Sequence, residues 1–281
     1  MIIREIHLGQ IESTIKNLCI EANTSLSENV LNAFREALSQ EDSLIGKEIF
    51  RQLLANATIA QNEGLAVCQD TGMVVVFMSI GQDVHLVGGS LEEAVNTGVS
   101  LGYAEGYFRA STLDPITRKT FNHNTPAVLH TEIVPGDKIK ITLLPKGFGG
   151  EMMSQAIVFS PAKGIEGVKA FIINCVKEAG GKPCPPGIIG VGIGGTIEKA
   201  AILSKKALIR PIGDRNSAPN VADLEDELLE DINRLGIGPQ GLGGRITALD
   251  VHIETYPTHI ASIPVSVNIQ CHSIRHKETI I

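Results

Sequence analysis

The stretch "GLAVCQDTGMVVVF", residues 64–77, holds the turning point of this chain. Gly64 stands where the amphipathic pattern of "SLIGKEIFRQLLANATIAQNEG" runs out, and a glycine there can take the left-handed backbone that caps a helix. From Met73 onward a run of apolar β-formers predicts a buried strand over 73–80. Between helix and strand stand a thiol, an amide, a carboxylate and a hydroxyl, Cys68 to Thr71. A polar cluster with a thiol at the mouth of a buried strand asks for a chemical reason.

Working outward, "SLSENVLNAFREALSQ" precedes the first helix with apolar residues at the same three and four spacing, so both are amphipathic packing helices. Beyond the strand, a Gly-Gln-Asp turn leads to a second strand at 84–87. Next comes "SLEEAVNTGVSLGYAEGYFRAS", whose Ser-x-x-Glu start is a capping box and whose helix is expected to end near Arg109. The segments "PAVLHTEIV" and "KIKITLLP" flank the turn "PGD" and predict an antiparallel hairpin. A helix over "GIEGVKAFIINCVKEAGG" is stopped by two glycines. From 184 the pattern becomes a short strand, a Gly-Ile-Gly-Gly turn and a helix. A last helix, "ADLEDELLEDINRLG", precedes a glycine-rich loop and strands at 246–254 and 262–270. Strands and helices are grouped rather than strictly alternating, which predicts an α+β fold. A helical N-terminal part is followed by mixed strands and helices, in one large globular unit over 1–281, with no linker or internal repeat.

The chain has 281 residues, 43% hydrophobic and 20% charged, which is ordinary for a chain that buries a full core. A formal net charge of -7 without any run of Lys or Arg argues against nucleic acid and anionic membranes as partners, and favours small molecules or other proteins. The N-terminal "MIIREIHLGQIESTIK" has neither the apolar core nor the small-residue cleavage site of a signal peptide, so a cytoplasmic protein is expected. The longest apolar runs, such as "MVVVFM", fall far short of the roughly 20 residues of a membrane helix.

Five cysteines, an odd number scattered along the chain, do not form the framework of a small secreted domain. Cys19 and Cys175 lie on apolar helical stretches and read as buried small hydrophobes. Cys184, in "GGKPCPPGIIG", is fixed on a loop by flanking prolines. Cys271, in "VSVNIQCHSIRH", ends a strand, and Cys68 ends the connection between helix and strand. These three lack the Cys-x-x-Cys pairing of a zinc site, so spacing alone leaves both a ligand and a structural role open.

Two glycine-rich stretches invite other chemistry. "GVGIGGT" at 190–196 lies between a strand and a helix, but it has neither the GxGxxG spacing nor the Gly-Lys-Ser/Thr of a nucleotide site, and tight strand-to-helix turning accounts for it. "GIGPQGLGG" spends five glycines in nine residues, a density that suits close approach to a ligand or partner.

Taken together, "CQDTG", "RASTLDPITRKTFNHNTPAVLH", "GKPCPPGIIGVGIGGT", "GIGPQGLGG" and "YPTHIASIPVSVNIQCHSIR" resemble the α subunit of class I, iron–sulfur-dependent fumarate hydratases. The resemblance covers essentially the whole chain, and several motifs in one order are more specific than any one of them. The L(+)-tartrate dehydratase α subunit shares most of these blocks. The resemblance implies that Cys68, Cys184 and Cys271 bind a [4Fe–4S] cluster through three irons and leave the fourth open. It assigns Gln69 and Asp70 to the substrate, with Asp70 as an acid/base. It makes Arg109 the carboxylate-binding arginine, where a bidentate fork is the physical reason for Arg. His259, twelve residues before Cys271, becomes an active-site histidine. Gly149, in "KGFGGE", becomes a backbone contact to substrate. The chain departs from the family pattern at Gly150 and Met152, where polar residues are common.

The resemblance further implies reversible hydration of fumarate to (S)-malate, with tartrate dehydration as the alternative. A dicarboxylate substrate carries two negative charges, whereas the motifs supply one well-placed cation, Arg109. Cys271 lies ten residues from the end of the sequence, and single-chain relatives continue into a second domain. A separate β subunit and an α2β2 assembly are therefore expected. A non-catalytic iron–sulfur-binding module would need the same three cysteines but no role for Gln69, Asp70 or Arg109.

Overall fold

A computed structural model describes residues 3–281. Along the chain run β1 (Arg4–His7), α1 (Leu8–Thr24), α2 (Glu28–Gln40), α3 (Leu44–Glu63), β2 (Met73–Gly81), β3 (Val84–Val87) and α4 (Leu91–Glu105). They are followed by β4 (Val128–Val134), β5 (Ile139–Lys146), α5 (Phe148–Glu151), β6 (Gln155–Phe159), α6 (Gly164–Ala179), β7 (Gly187–Gly195) and α7 (Ile197–Ala207). The last elements are α8 (Pro219–Arg234), β8 (Ala248–Thr258), β9 (Ile263–Gln270) and β10 (Lys277–Ile280). The class is α+β, as the grouping of elements predicts.

The described residues cluster into two compact units interleaved in sequence. The first takes the residues up to Leu26, Ala57–Gly147 and Arg275–Ile281, and the second takes Ser27–Asn56 and Phe148–Ile274. The first unit is built on a four-stranded sheet ordered β10-β5-β2-β4. Its centre is β2, buried on both faces as its unbroken apolar run requires. The core joins Val74, Val76, Met78, Ile139, Ile141 and Leu143 of the sheet to Ile11, Ile15, Leu18 and Cys19 of α1 and Val95, Val99 and Tyr103 of α4. Each of the fully buried aliphatic side chains contributes about 1.5–3 kcal/mol.

The hairpin expected over 126–145 does not form. Strand β4 pairs with β2 in parallel, β5 pairs with β2 antiparallel, and the two do not pair with each other. The apolar β2 takes the place between them because it is buried on both sides, whereas β4 is half exposed and suits the edge. The helix expected to reach Arg109 ends at Glu105, where Gly106 caps it, Tyr107 turns left-handed (φ 53°) and Phe108 folds back edge-on to Tyr103. Arg109 is thereby released from the helix into an irregular segment.

The second unit carries a four-stranded sheet ordered β6-β9-β7-β8, packed by α6, α7 and α8. Here too a central strand separates two that follow each other in sequence, since β7 pairs with β8 in parallel and with β9 antiparallel. The glycines of "GVGIGGT" serve this packing. A Cβ on Gly190 would sit 2.2 Å from the Ser204 carbonyl oxygen, and one on Gly192 would sit 2.0 Å from that of Ala200, so α7 lies directly on the strand backbone. No described helix is long and apolar enough to cross a membrane.

Candidate active site

In the first unit the connection from α3 to β2 carries Cys68, Gln69 and Asp70. Its entry is tied where the Val67 N–H donates to the Asn23 carbonyl (2.8 Å). Asp70 Oδ1 then accepts from the Gly72 N–H at 3.1 Å, the turn that a short carboxylate favours. Gly72 has φ 75°, and a Cβ there would lie 2.7 Å from the Lys146 carbonyl, so the glycine of "CQDTG" is required on both counts.

Beyond this turn, three successive carbonyls are each held by a buried side chain. The Asp70 carbonyl accepts from Arg275 Nη2. The Thr71 carbonyl accepts from the Tyr103 hydroxyl at 2.6 Å, and the Gly72 carbonyl from Asn124 Nδ2 at 3.1 Å. Arg275, Tyr103 and Asn124 are 1%, 3% and 0% exposed, and the bonds of Tyr103 and Asn124 are shielded from bulk water. Burial pushes the Tyr103 phenol far above its ordinary range, which keeps it a neutral donor. The same network holds Arg109: Thr71 Oγ1 donates to the Arg109 carbonyl at 2.7 Å, and Asn124 Oδ1 accepts from the Ser111 N–H at 2.7 Å. The backbone is thus fixed, while Gln69 and Arg109 are exposed and Cys68 and Asp70 half-buried. Cys68 Sγ lies 3.4 Å from Gln69 Oε1. Among the described residues the Arg109 guanidinium has no partner, so it is free to receive a ligand carboxylate.

Spacing did not reveal two buried cations of this unit. Lys146, at the end of β5, and Arg275 are each 1% exposed. Gly147 sits between the carboxylate and the guanidinium, since a Cβ there would meet Asp70 Oδ2 at 3.3 Å and Arg275 Nη2 at 3.9 Å. Asn124 and Arg275 both fall inside the motif blocks, "FNHNTP" and "QCHSIR", so their positions were visible in the sequence although their partners were not.

In the second unit Cys184 and Cys271 stand at one end of the sheet, just before β7 and just after β9. Ile188 and Gln270 pair across those strands, and the His272 N–H donates to the Cys184 carbonyl at 3.3 Å. Cys184 is exposed and left-handed (φ 55°), held by its own N–H to the Gly181 carbonyl at 3.1 Å. The glycine-rich loop buttresses it. The Gln240 main-chain N–H and Nε2 both donate to the Pro185 carbonyl, at 2.7 and 3.0 Å, and Gly241 packs on Gly181 so closely that a Cβ would lie 2.5 Å from the Gly181 Cα. The close approach that the five glycines permit is therefore, in this unit, to the chain's own backbone. Gly149 belongs to the same end, its Cβ position 3.3 Å from the Lys182 carbonyl oxygen. Glu151 anchors that segment through Lys205 (2.5 Å) and Asn268 (3.0 Å). Of the two departures from the family pattern, Gly150 is buried and Met152 is 72% exposed.

His259 is not brought to that end. It sits exposed in the turn between β8 and β9, where its Nδ1 accepts from the Ala261 N–H at 3.2 Å. The eight residues of β9, about 26 Å of extended chain, separate that turn from Cys271. Around the turn lies a cleft of about 590 Å³ lined by Gly195, Thr196, Lys199, Tyr256 and His259.

None of the five cysteines forms a disulfide. Cys19 and Cys175 are buried on helices, and burial pushes Cys175 up to about 12 and Cys19 higher still, so both stay protonated and are poor ligands. Cys68, Cys184 and Cys271 all lie outside the described helices and strands and all reach solvent. Beside Cys271, Gln270 Oε1 and Ser273 Oγ are buried without partners. Among the described residues no three His, Cys, Asp or Glu side chains converge on a single metal ion.

The sequence matches the family described as fumarate hydratase (Fumerase) over residues 12–280. It is 42% identical over 272 residues to a Methanocaldococcus jannaschii protein provisionally named L(+)-tartrate dehydratase subunit alpha, covering 93% of this chain and 94% of the relative. It is 31% identical over 268 residues to the L(+)-tartrate dehydratase subunit alpha of Escherichia coli and to that of Shigella sonnei, covering 94% of this chain and 88% of each relative.

Proposed function

The chain belongs to the fumarate hydratase family, and from that membership we propose that it is the α subunit of an iron–sulfur hydro-lyase. The reaction is the reversible hydration of fumarate to (S)-malate, with a separate β subunit completing the site. The observation that carries this reading is the Cys68–Gly72 turn, whose backbone is clamped by buried donors while Gln69 is exposed and Cys68 and Asp70 are half-buried.

The donor set fits a [4Fe–4S] cluster on chemical grounds. Three accessible loop thiols contrast with two buried helical ones, and each thiolate would ligate a different iron, so convergence on one ion is not required. Cys68, Cys184 and Cys271 would hold the group. When bound through three cysteines, such a cluster supplies one iron free of protein thiolate as a Lewis acid toward a hydroxyl and a carboxylate.

The chain's own residues do the rest. Arg109 offers its planar fork to one substrate carboxylate, with its backbone anchored so that the side chain alone has to be ordered. Gln69 can donate and accept through its amide and orient the bound hydroxy acid. Asp70 Oδ1 is engaged by the Gly72 N–H, which fixes the carboxylate as an acid/base beside the reacting carbons. Gly149 contributes backbone on the Cys184 side. A contribution from His259 needs the hairpin turn to be delivered to the site of another chain, because its own strand carries it away from Cys271.

The names of the relatives favour a second reading of the same chemistry, loss of water from L(+)-tartrate. Both substrates are hydroxy dicarboxylates, and the contacts that discriminate them are shared with the β subunit. Those names, each a subunit alpha, support the partner; α2β2 stoichiometry and a cytoplasmic location belong to the same proposal. Co-purification with the partner subunit without oxygen, followed by assays with fumarate, (S)-malate and L(+)-tartrate, tests it. Turnover of one dicarboxylate by the complex and little by this chain alone is expected. Substantial activity from the chain alone overturns the divided site, and no turnover of any of them overturns the hydro-lyase assignment.

A further inference from the structure

Arg275 is the largest fully buried side chain among the described residues. Its one hydrogen bond runs from Nη2 to the main-chain carbonyl of Asp70, 205 residues away in sequence, and its Nε and Nη1 have no partner. No carboxylate pairs with it among the described residues. A buried guanidinium with two of its nitrogens unpartnered is costly, and folded proteins keep such a group where it serves a site. What it touches here is the turn that presents Gln69 and Asp70, with Gly147 leaving room between Nη2 and Asp70 Oδ2.

Resting on the hydro-lyase reading above, we propose that Arg275 is a positioning residue of the reaction. It holds the Asp70 turn through the carbonyl bond, and its charge lies behind the displayed side chains as the second cation that a dicarboxylate requires. The guanidinium does not touch the substrate, because it is sealed in the core. It acts through Asp70 and through its field, which a low-dielectric surrounding screens only weakly. Lysine would keep the charge and lose the fork.

The test uses the complex with the partner subunit, comparing wild type with Arg275→Gln and Arg275→Lys. Turnover, KM for fumarate or L(+)-tartrate, iron content and amide hydrogen exchange over residues 68–72 are read from the same preparations. A displacement of about 1 Å at the turn corresponds to a fall in kcat of about 100-fold. Arg275→Gln is expected to show that fall together with a raised KM, at wild-type iron content. Arg275→Lys is expected to restore KM while kcat stays depressed and exchange over 68–72 stays fast. If Arg275→Gln does not fold, the split between kcat and KM in Arg275→Lys decides alone. Wild-type kcat and KM in the variants overturn the proposal, and so does loss of activity in strict proportion to loss of iron. A wild-type complex that turns over no dicarboxylate fails the hydro-lyase reading, an outcome distinct from variants that behave as an active wild type does.

Discussion

Asp70 has its two halves occupied by different tasks: its carbonyl is held by Arg275 and its Oδ1 by the Gly72 N–H, so its position is set independently of any ligand. Asp70→Asn keeps the turn, because an amide oxygen can still accept from Gly72, but it cannot take up a proton. The expected result is a fall in kcat of about 10²–10⁴-fold with iron content unchanged, measured on the assembled complex. Unchanged turnover would instead support a non-catalytic iron–sulfur module. At this scale the sequence was legible where chemistry is local. Cys68, Gln69 and Asp70 are contiguous, and Cys19 and Cys175 were separable from the other thiols by the apolar helices around them. It was not legible where partners meet through space. Arg275, Tyr103 and Asn124 reach the turn from 205, 32 and 52 residues away, and no spacing rule joins such positions.

Elements show how a loop is made rigid enough to hold a thiol. The glycine-rich segment after α8 reads as a place for close approach, and the approach is to Gly181 and Pro185 beside Cys184. Gly241→Ala would put a Cβ 2.5 Å from the Gly181 Cα at a φ of 74°, a strained backbone costing about 1–2 kcal/mol before any clash. Lower iron content at near-native helix content is the expected outcome, measured by metal analysis and circular dichroism. The same loop is fastened by Glu41, which is 1% exposed and accepts from the N–H groups of Asp42, Ser43, Arg245 and Ile246 at 2.9–3.0 Å. Burial works to raise the Glu41 pKa, but those donors together hold it below its usual value. Its folded-state pKa lies below the unfolded one of about 4.3, so its stabilisation is present above that pH and is lost as pH falls through the folded value. Glu41→Gln should cost about 2 kcal/mol at pH 7, with a gap from wild type that narrows below pH 4, read from thermal unfolding against pH. A constant gap would show that the carboxylate charge is not what holds the loop. Helix positions were legible from apolar spacing, but the end of α4 was not, since Gly106 and Tyr107 break it before the apolar pattern stops.

At the scale of the molecule, each unit repeats one arrangement: a strand, a helical crossover to a parallel neighbour, and a third strand returning antiparallel on the other side of the first. The α+β class was legible, because grouping of elements is a property of order along the chain. Strand neighbours were not. The turn "PGD" between β4 and β5 reads as a hairpin, yet β2 inserts because its apolar faces gain most from a central place. That insertion puts the end of β5, with Lys146 and Gly147, against the turn that carries Asp70. The chain is acidic overall, with a formal net charge of -7, and still gathers Arg109, Lys146 and Arg275 in the unit that displays Asp70.

The central claim is that three thiols hold a cluster with one iron left open to a dicarboxylate. Its most direct test is anaerobic reconstitution with iron and sulfide, followed by electron paramagnetic resonance after mild oxidation and after reduction, with and without fumarate, (S)-malate or L(+)-tartrate. The account predicts a three-iron signal on oxidation and a reduced four-iron signal that shifts when one of these dicarboxylates is added. A chain that assembles no cluster, or one whose fully coordinated cluster ignores all three dicarboxylates, would contradict it.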